Sequence, residues 1–75
     1  MNRNLSKLFS PNSVAIVGAS NTPGKVGYSI LKNLIEAEFI GEIFPININD
    51  KIVQGIKSFS SLVDVKKNID LAIIC

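Results

Sequence analysis

Gly18, Gly24, Lys25 and Gly27 follow directly on the apolar run Val14-Ala15-Ile16-Val17. Residues of these types in this order suit the binding of an oxyanion. Glycine lets the backbone come close to a ligand, and the free N–H groups and positive dipole end of a following helix then face its negative charge. Lys25, at the helix start, adds a cation. The match to known phosphate loops is incomplete. A dinucleotide fingerprint places glycine at its first, third and sixth positions, but counted from Gly18 these later places hold Ser20 and Pro23. A Walker A loop allows four residues before Gly-Lys, where five separate Gly18 from Gly24-Lys25, and Val26 stands where Ser or Thr belongs. What remains is a glycine loop longer than the dinucleotide turn, with Gly24 and Gly27 spaced for a helix start. A tight strand-to-helix turn that binds nothing has the same outline.

The elements that must position this loop follow from periodicity. Val14–Val17 has no polar alternation and reads as a strand buried on both faces. From Val26 the apolar residues Val26, Ile30, Leu31, Leu34 and Ile35 form one stripe of a helix, which ends before Gly41. Ile43-Phe44-Pro45-Ile46 is a second strand, with Pro45 expected near its carboxyl end because proline lacks a ladder donor. Residues 52–59 hold either a short strand around Lys57 and Ser58 or an ordered loop. Ser61-Leu62-Val63-Asp64 fits an acidic variant of the capping box and predicts a short helix from about Leu62 to Lys67. Asp70-Leu71-Ala72-Ile73-Ile74 is another strand. Ahead of them all, Leu5, Leu8 and Phe9 have helical spacing up to Pro11 and read as a helical turn packed on the first strand's edge. The sum is a three-layer α/β arrangement, with helices on both faces of a parallel sheet. Val14–Val17 and Leu71–Ile74 are expected as parallel neighbours, with Ile43–Ile46 on the other side of the first, so that the loop from Gly18 to Gly24 sits at the topological switch point.

Composition narrows the chemistry. The 75 residues fit one domain at most, and a hydrophobic fraction of 47% excludes a disordered tail. A net charge of +2 with scattered lysines offers no stripe for nucleic acid. Without histidine there is no imidazole base or metal ligand, and the single Cys75 gives no disulfide framework. No secretory signal heads the chain and no apolar run is long enough for a membrane span, so a cytoplasmic protein is expected. The apolar strand that reaches Cys75 has nothing after it to cover the sheet. Residues 1–75 therefore read as the opening part of a larger doubly wound domain, with apolar surface on the last strand and a tendency to associate into a homo-oligomer.

Four blocks in order carry a resemblance: residues 8–20 (Leu8-Phe9-Ser10-Pro11-Asn12-Ser13-Val14-Ala15-Ile16-Val17-Gly18-Ala19-Ser20), Pro23-Gly24-Lys25-Val26-Gly27, Phe44-Pro45-Ile46-Asn47, and Asp70-Leu71-Ala72-Ile73-Ile74. Together they resemble the amino-terminal coenzyme A-binding domain of ADP-forming acyl-CoA synthetases, among them ADP-forming acetate–CoA ligase, which are related to the alpha subunit of succinyl-CoA synthetase. The resemblance implies a Rossmann-like domain whose loop holds the coenzyme A phosphates, with adenine and pantetheine across the carboxyl ends of the strands. By position, Ser20, Gly24, Lys25, Val26 and Gly27 would form the phosphate loop and Gly18 the turn out of the strand, with Asn47 as a further contact at the end of the second strand. The family usually reads Pro-Val-Asn-Pro-Lys after that strand. Here the run is Pro45-Ile46-Asn47-Ile48-Asn49, so the lysine that commonly helps bind coenzyme A is replaced by Asn49, with Lys51 two residues on. Asn47 also stands where a nicotinamide-binding domain places the acid that holds the ribose hydroxyls, which argues against that cofactor. In the whole enzymes an acid, coenzyme A and ATP are interconverted with acyl-CoA, ADP and phosphate, through a histidine in a later domain. The resemblance thus implies ATP, ADP and Mg only in other domains or a partner subunit, with no catalytic residue in this segment. A free-standing or acetyltransferase-fused coenzyme A-binding module is the alternative, and the acyl substrate stays open.

Overall fold

Successive side chains of β1 (Ser13–Val17) point to opposite faces of the sheet and divide the core in two. In the computed structural model, which describes residues 11–75, Val14 and Ile16 face a cluster with Ala19, Leu31 and Val53, while Ala15 faces Phe44, Ile46 and Val65. β1 is central in a parallel sheet, flanked by β2 (Glu42–Ile46) and by the later strand Leu71–Ile74, as the apolar runs predict. Val14 is level with Ile43 on one side and with Leu71 on the other. The helix α1 (Val26–Glu36) covers the first face, giving the α/β, Rossmann-like layering expected from the sequence.

Pro45 is the fourth residue of β2, and its carbonyl accepts from Phe59 N–H at 2.9 Å on the side away from β1. In a strand the N and C=O of one residue face the same neighbour, so the donor that proline lacks would have pointed outward. The β1–β2 ladder loses nothing. Phe59 N–H and C=O then hold the outer edge of β2, with Asn47 N–H donating to Phe59 O at 2.9 Å and the Phe44 and Phe59 rings meeting edge to face at 5.9 Å.

Three details differ from the sequence expectation. Residues 52–57 form a small antiparallel hairpin, β3 (Ile52–Val53) and β4 (Ile56–Lys57), where a lone strand around Lys57 and Ser58 or a loop was expected. The helix expected over Leu62–Lys67 is only a 3-10 turn, Leu62–Asp64, and the Ser61 side chain caps no backbone N–H; its hydroxyl instead meets Asp64 Oδ2 at 3.3 Å. Val65 leaves helical geometry to bury itself against the second face, and Lys67 reaches Glu42 at 2.8 Å, so tertiary contacts override the local capping pattern. The second face is accordingly closed, among the described residues, by residues 59–69 rather than by a helix. The third difference is the stripe on α1. Val26 is 65% and Ile35 39% exposed, while Gly27 and Leu31 are buried, so the sheet-facing side runs through Gly27, Ile30, Leu31 and Leu34.

The last strand, β5 (Leu71–Ile74), leaves Leu71 and Ile74 exposed, the latter by 71%. At the opposite end of the sheet, Ser13 Oγ donates to Asn68 O at 2.8 Å and accepts from Asp70 N–H at 2.9 Å, tying β1 to the approach of β5. The helical turn expected at Leu5, Leu8 and Phe9 lies outside the described residues. No helix among the described residues is long and apolar enough to cross a membrane.

Candidate functional site

At the carboxyl ends of β1 and β2 the chain leaves the sheet in two loops, and a cleft of about 630 Å³ opens between them. One wall is Gly18, Ala19, Ser20 and Lys25; the floor and second wall come from Ile46, Asn47, Ile48 and Asn49; the 3-10 segment contributes Ser60, Ser61 and Leu62. Open parallel sheets bind ligands at this end. Lys25 is the only cation in this lining and no carboxylate lines it, so among the described residues the cleft favours an anion.

Gly18 turns out of β1 with φ 92°, and Gly24 turns into α1 with φ 95°, a left-handed geometry that other residues adopt only with strain. A Cβ at Gly24 would meet nothing within 4 Å, so its requirement is conformational and not one of space. Lys25 is the N-cap residue of α1 and supplies no side-chain acceptor to the first turn. The first N–H groups of α1 thus begin the helix without a side-chain cap, the condition in which a helix start receives an anion. Gly27 has a different part. A Cβ there would overlap the Gly18 carbonyl and crowd Ala19, so Gly27 brings helix and strand together. This is the close-packing role that the last glycine plays in dinucleotide turns. Sequence reasoning placed Gly27 at the ligand's phosphate oxygens; the volume a side chain would fill there belongs to the strand's own backbone.

Gly18, Ser20, Lys25 and Asn47 therefore meet in the cleft wall, while Gly24, Val26 and Gly27 shape the wall from outside it. Ser20 Oγ accepts from Thr22 N–H at 2.9 Å and rounds the loop. Asn47 is held by three side-chain hydrogen bonds. Its Nδ2 donates to Ala19 O at 2.9 Å, and its Oδ1 accepts from Asn49 and Asp50 N–H at 2.8 and 2.7 Å. The carboxamide ties the end of β2 to the glycine loop and has no acidic pair of oxygens for a ribose diol. Ser60, Ser61 and Leu62 were not foreseen as lining residues. Only the fold of the preceding hairpin brings them over the strand ends, and no local signal marks them. No group of three or more metal-ligating acids, cysteines or histidines exists among the described residues.

A glycine loop and an uncapped helix start at the carboxyl end of a parallel sheet define the class: a Rossmann-like α/β domain with a cleft at the strand ends. Residues 12–75 match the family described as the CoA binding domain, and the chain belongs to that family. Over 70 residues it is 55% identical to the ADP-forming acetate–CoA ligase of Methanocaldococcus jannaschii, covering 93% of this chain and 10% of that protein. It is 41% identical to the alpha subunit of ADP-forming acetate–CoA ligase II of Pyrococcus furiosus, again over 93% of this chain, and 15% of the relative. The solved apo form of a dinucleotide-forming acetyl-coenzyme A synthetase 1 from Ca. Korarchaeum cryptofilum superposes with a TM-score of 0.90 at 39% identity, covering 95% of this chain and 16% of that one. The chain thus spans 10 to 16% of the length of these relatives.

Proposed function

We propose that this chain binds coenzyme A as the first part of the coenzyme A-binding domain of an ADP-forming acyl-CoA synthetase. The observation that carries the reading is the anion-favouring cleft between the glycine loop and Asn47, in a chain whose residues 12–75 belong to the CoA binding domain family. The coenzyme A phosphates sit against the loop from Gly18 to Gly24 and the first N–H groups of α1, with Lys25 as counter-charge and Ser20 and Asn47 bordering the ligand. Val26 and Gly27 contribute through backbone N–H groups. The segment binds and orients; acid activation, ATP, ADP and Mg belong to other domains or a partner subunit, in a cytoplasmic enzyme that assembles through surfaces including exposed β5. The short share of each relative's length and the ligase names of those relatives favour this over a free-standing module.

The test is calorimetric titration of the full-length parent with coenzyme A and, separately, with NAD. Saturable binding of coenzyme A with no comparable binding of NAD is expected. Tight binding of NAD without coenzyme A overturns the proposal.

A further inference from the structure

The β3–β4 hairpin stands beside the glycine loop, and its turn carries an unexpected residue. Gln54 and Gly55 have φ of 49° and 84°, positive at both central positions as a two-residue type I′ turn requires. Such a turn favours Asn-Gly or Gly-Gly, because a long side chain gains nothing from the left-handed region. Gln54 gains something elsewhere. Its Nε2 donates to Ser20 O at 3.1 Å and to Tyr28 O at 3.0 Å, joining the glycine loop and the first turn of α1 through one nitrogen. Its backbone N–H donates to Asn21 Oδ1 at 2.7 Å, and Asn21 Nδ2 returns to the hairpin at Ile52 O, 2.9 Å, and Asp50 Oδ2, 3.0 Å.

These contacts determine which way the loop's donors face. A trans peptide points its N–H opposite to its C=O, so holding the Ser20 carbonyl on Gln54 also sets the direction of the Asn21 N–H. Holding the Tyr28 carbonyl on the same nitrogen sets the distance from that peptide to the helix start. We propose that Gln54 is a positioning residue for a phosphorylated ligand: it fixes the spacing between the glycine loop and the amino terminus of α1, and so tunes affinity without touching the ligand. The inference rests on the coenzyme A-binding reading above. Gln54 is half-buried, and the polar atoms its side chain meets are the Ser20 and Tyr28 carbonyls.

The experiment uses the full-length parent with Gln54→Asn and Gln54→Met. Asparagine suits the turn better than glutamine but is one methylene too short to bridge both carbonyls; methionine keeps the length and donates nothing. Three quantities are measured: the melting temperature, coenzyme A affinity by calorimetry, and hydrogen exchange of amides 19–28 without ligand. The expected result for Gln54→Asn is a melting temperature close to wild type, because the better turn residue offsets the lost hydrogen bonds, with faster exchange in 19–28 and coenzyme A affinity weaker by roughly fivefold, the scale of one ordinary hydrogen bond. Gln54→Met should show the same loss of affinity. Wild-type affinity in both variants overturns the inference, and so does a loss of affinity that in both variants accompanies an equal fall in melting temperature. A wild-type protein that does not bind coenzyme A overturns the proposed function instead, and unchanged exchange in the variants then removes the brace as well.

Discussion

Replacing Gly27 by alanine sets two effects against each other, and their sizes decide the sign. Glycine in a helix is disfavoured by about 1 kcal/mol relative to alanine, so propensity alone predicts that Gly27→Ala stabilises the protein. Against this, the added Cβ overlaps the Gly18 carbonyl oxygen and lies 3.1 Å from Ala19 Cα. Both obstacles are backbone and have no rotamer to swing aside. The relief open to the chain is for the start of α1 to lift off β1. Leu31 and Ile16, each with no exposed surface, pack between the same elements and lose contact as it does. Forced methylenes in a packed interior cost about 1 to 3 kcal/mol, and the thin gap opened around Leu31 forfeits dispersion in addition. An overlap with backbone that has no rotamer to yield belongs at the upper end of that range, about 2 to 3 kcal/mol, so the steric side wins by about 1 to 2 kcal/mol after the propensity gain is subtracted. Gly27→Val should cost more, since its branched Cβ is stiff in a helix. Hydrogen exchange of the α1 amides in the full-length parent reads this local opening energy directly. Protection in Gly27→Ala equal to or above wild type would mean that propensity decides, and the close-approach argument for Gly27 would be wrong.

Lys25→Ala is expected to weaken coenzyme A binding by about 0.5 to 1.5 kcal/mol and to flatten the salt dependence of affinity, since the lysine is an exposed charge at the cleft; calorimetry at low and high salt checks this, and an unaltered salt dependence refutes it. Asn47→Asp keeps the acceptor for the Asn49 and Asp50 amides but removes the donor to Ala19 O and sets two acceptors face to face. A destabilisation of about 1 to 3 kcal/mol is expected from the unpaired group, with faster exchange in residues 18–21 than in residues 48–51; equal exchange in both loops contradicts it.

Much of the fold was legible because the strands of a parallel sheet read as unbroken apolar runs, as Val14–Val17 and Ile43–Ile46 do; Leu71–Ile74 is such a run as well, although Leu71 and Ile74 stay exposed among the described residues. Local reading failed where distant contacts decide. Ser61 and Asp64 have the spacing of a capping box, yet Val65 gains more by entering the second core face than by extending the helix. The α1 stripe was right at Ile30, Leu31 and Leu34 but took Val26 in place of Gly27 and added Ile35, for a related reason. Hydrophobic periodicity searches for large apolar side chains, whereas the tightest contact between helix and strand falls at Gly27, a residue that carries no hydrophobic signal. The hairpin was hidden by Gln54, which occupies a turn position where Asn or Gly would have announced it.

The site was legible to a different depth. Glycine spacing exposed the loop, and Asn47 stood out as a ligand contact rather than as a brace, but Asn21 and Gln54, which also hold the loop, looked only like loop polarity. Their roles follow from the loop's length. A short dinucleotide turn is tight, whereas the run from Gly18 to Gly24 is longer and leaves carbonyls that the sheet cannot reach. Backbone acceptors taken out of water need donors. Ala19 O finds Asn47, a separation of 28 residues, and Ser20 O finds Gln54, a separation of 34. Asn21 joins the same set by accepting from Gln54 N–H and donating to Ile52 O. A loop of this length keeps a defined shape only if the segments after β2 supply side-chain amides to it. The departures from both phosphate-loop fingerprints and the concentration of amides around residues 47–54 are therefore one feature of the chain: the extra loop residues and the partners that fix them.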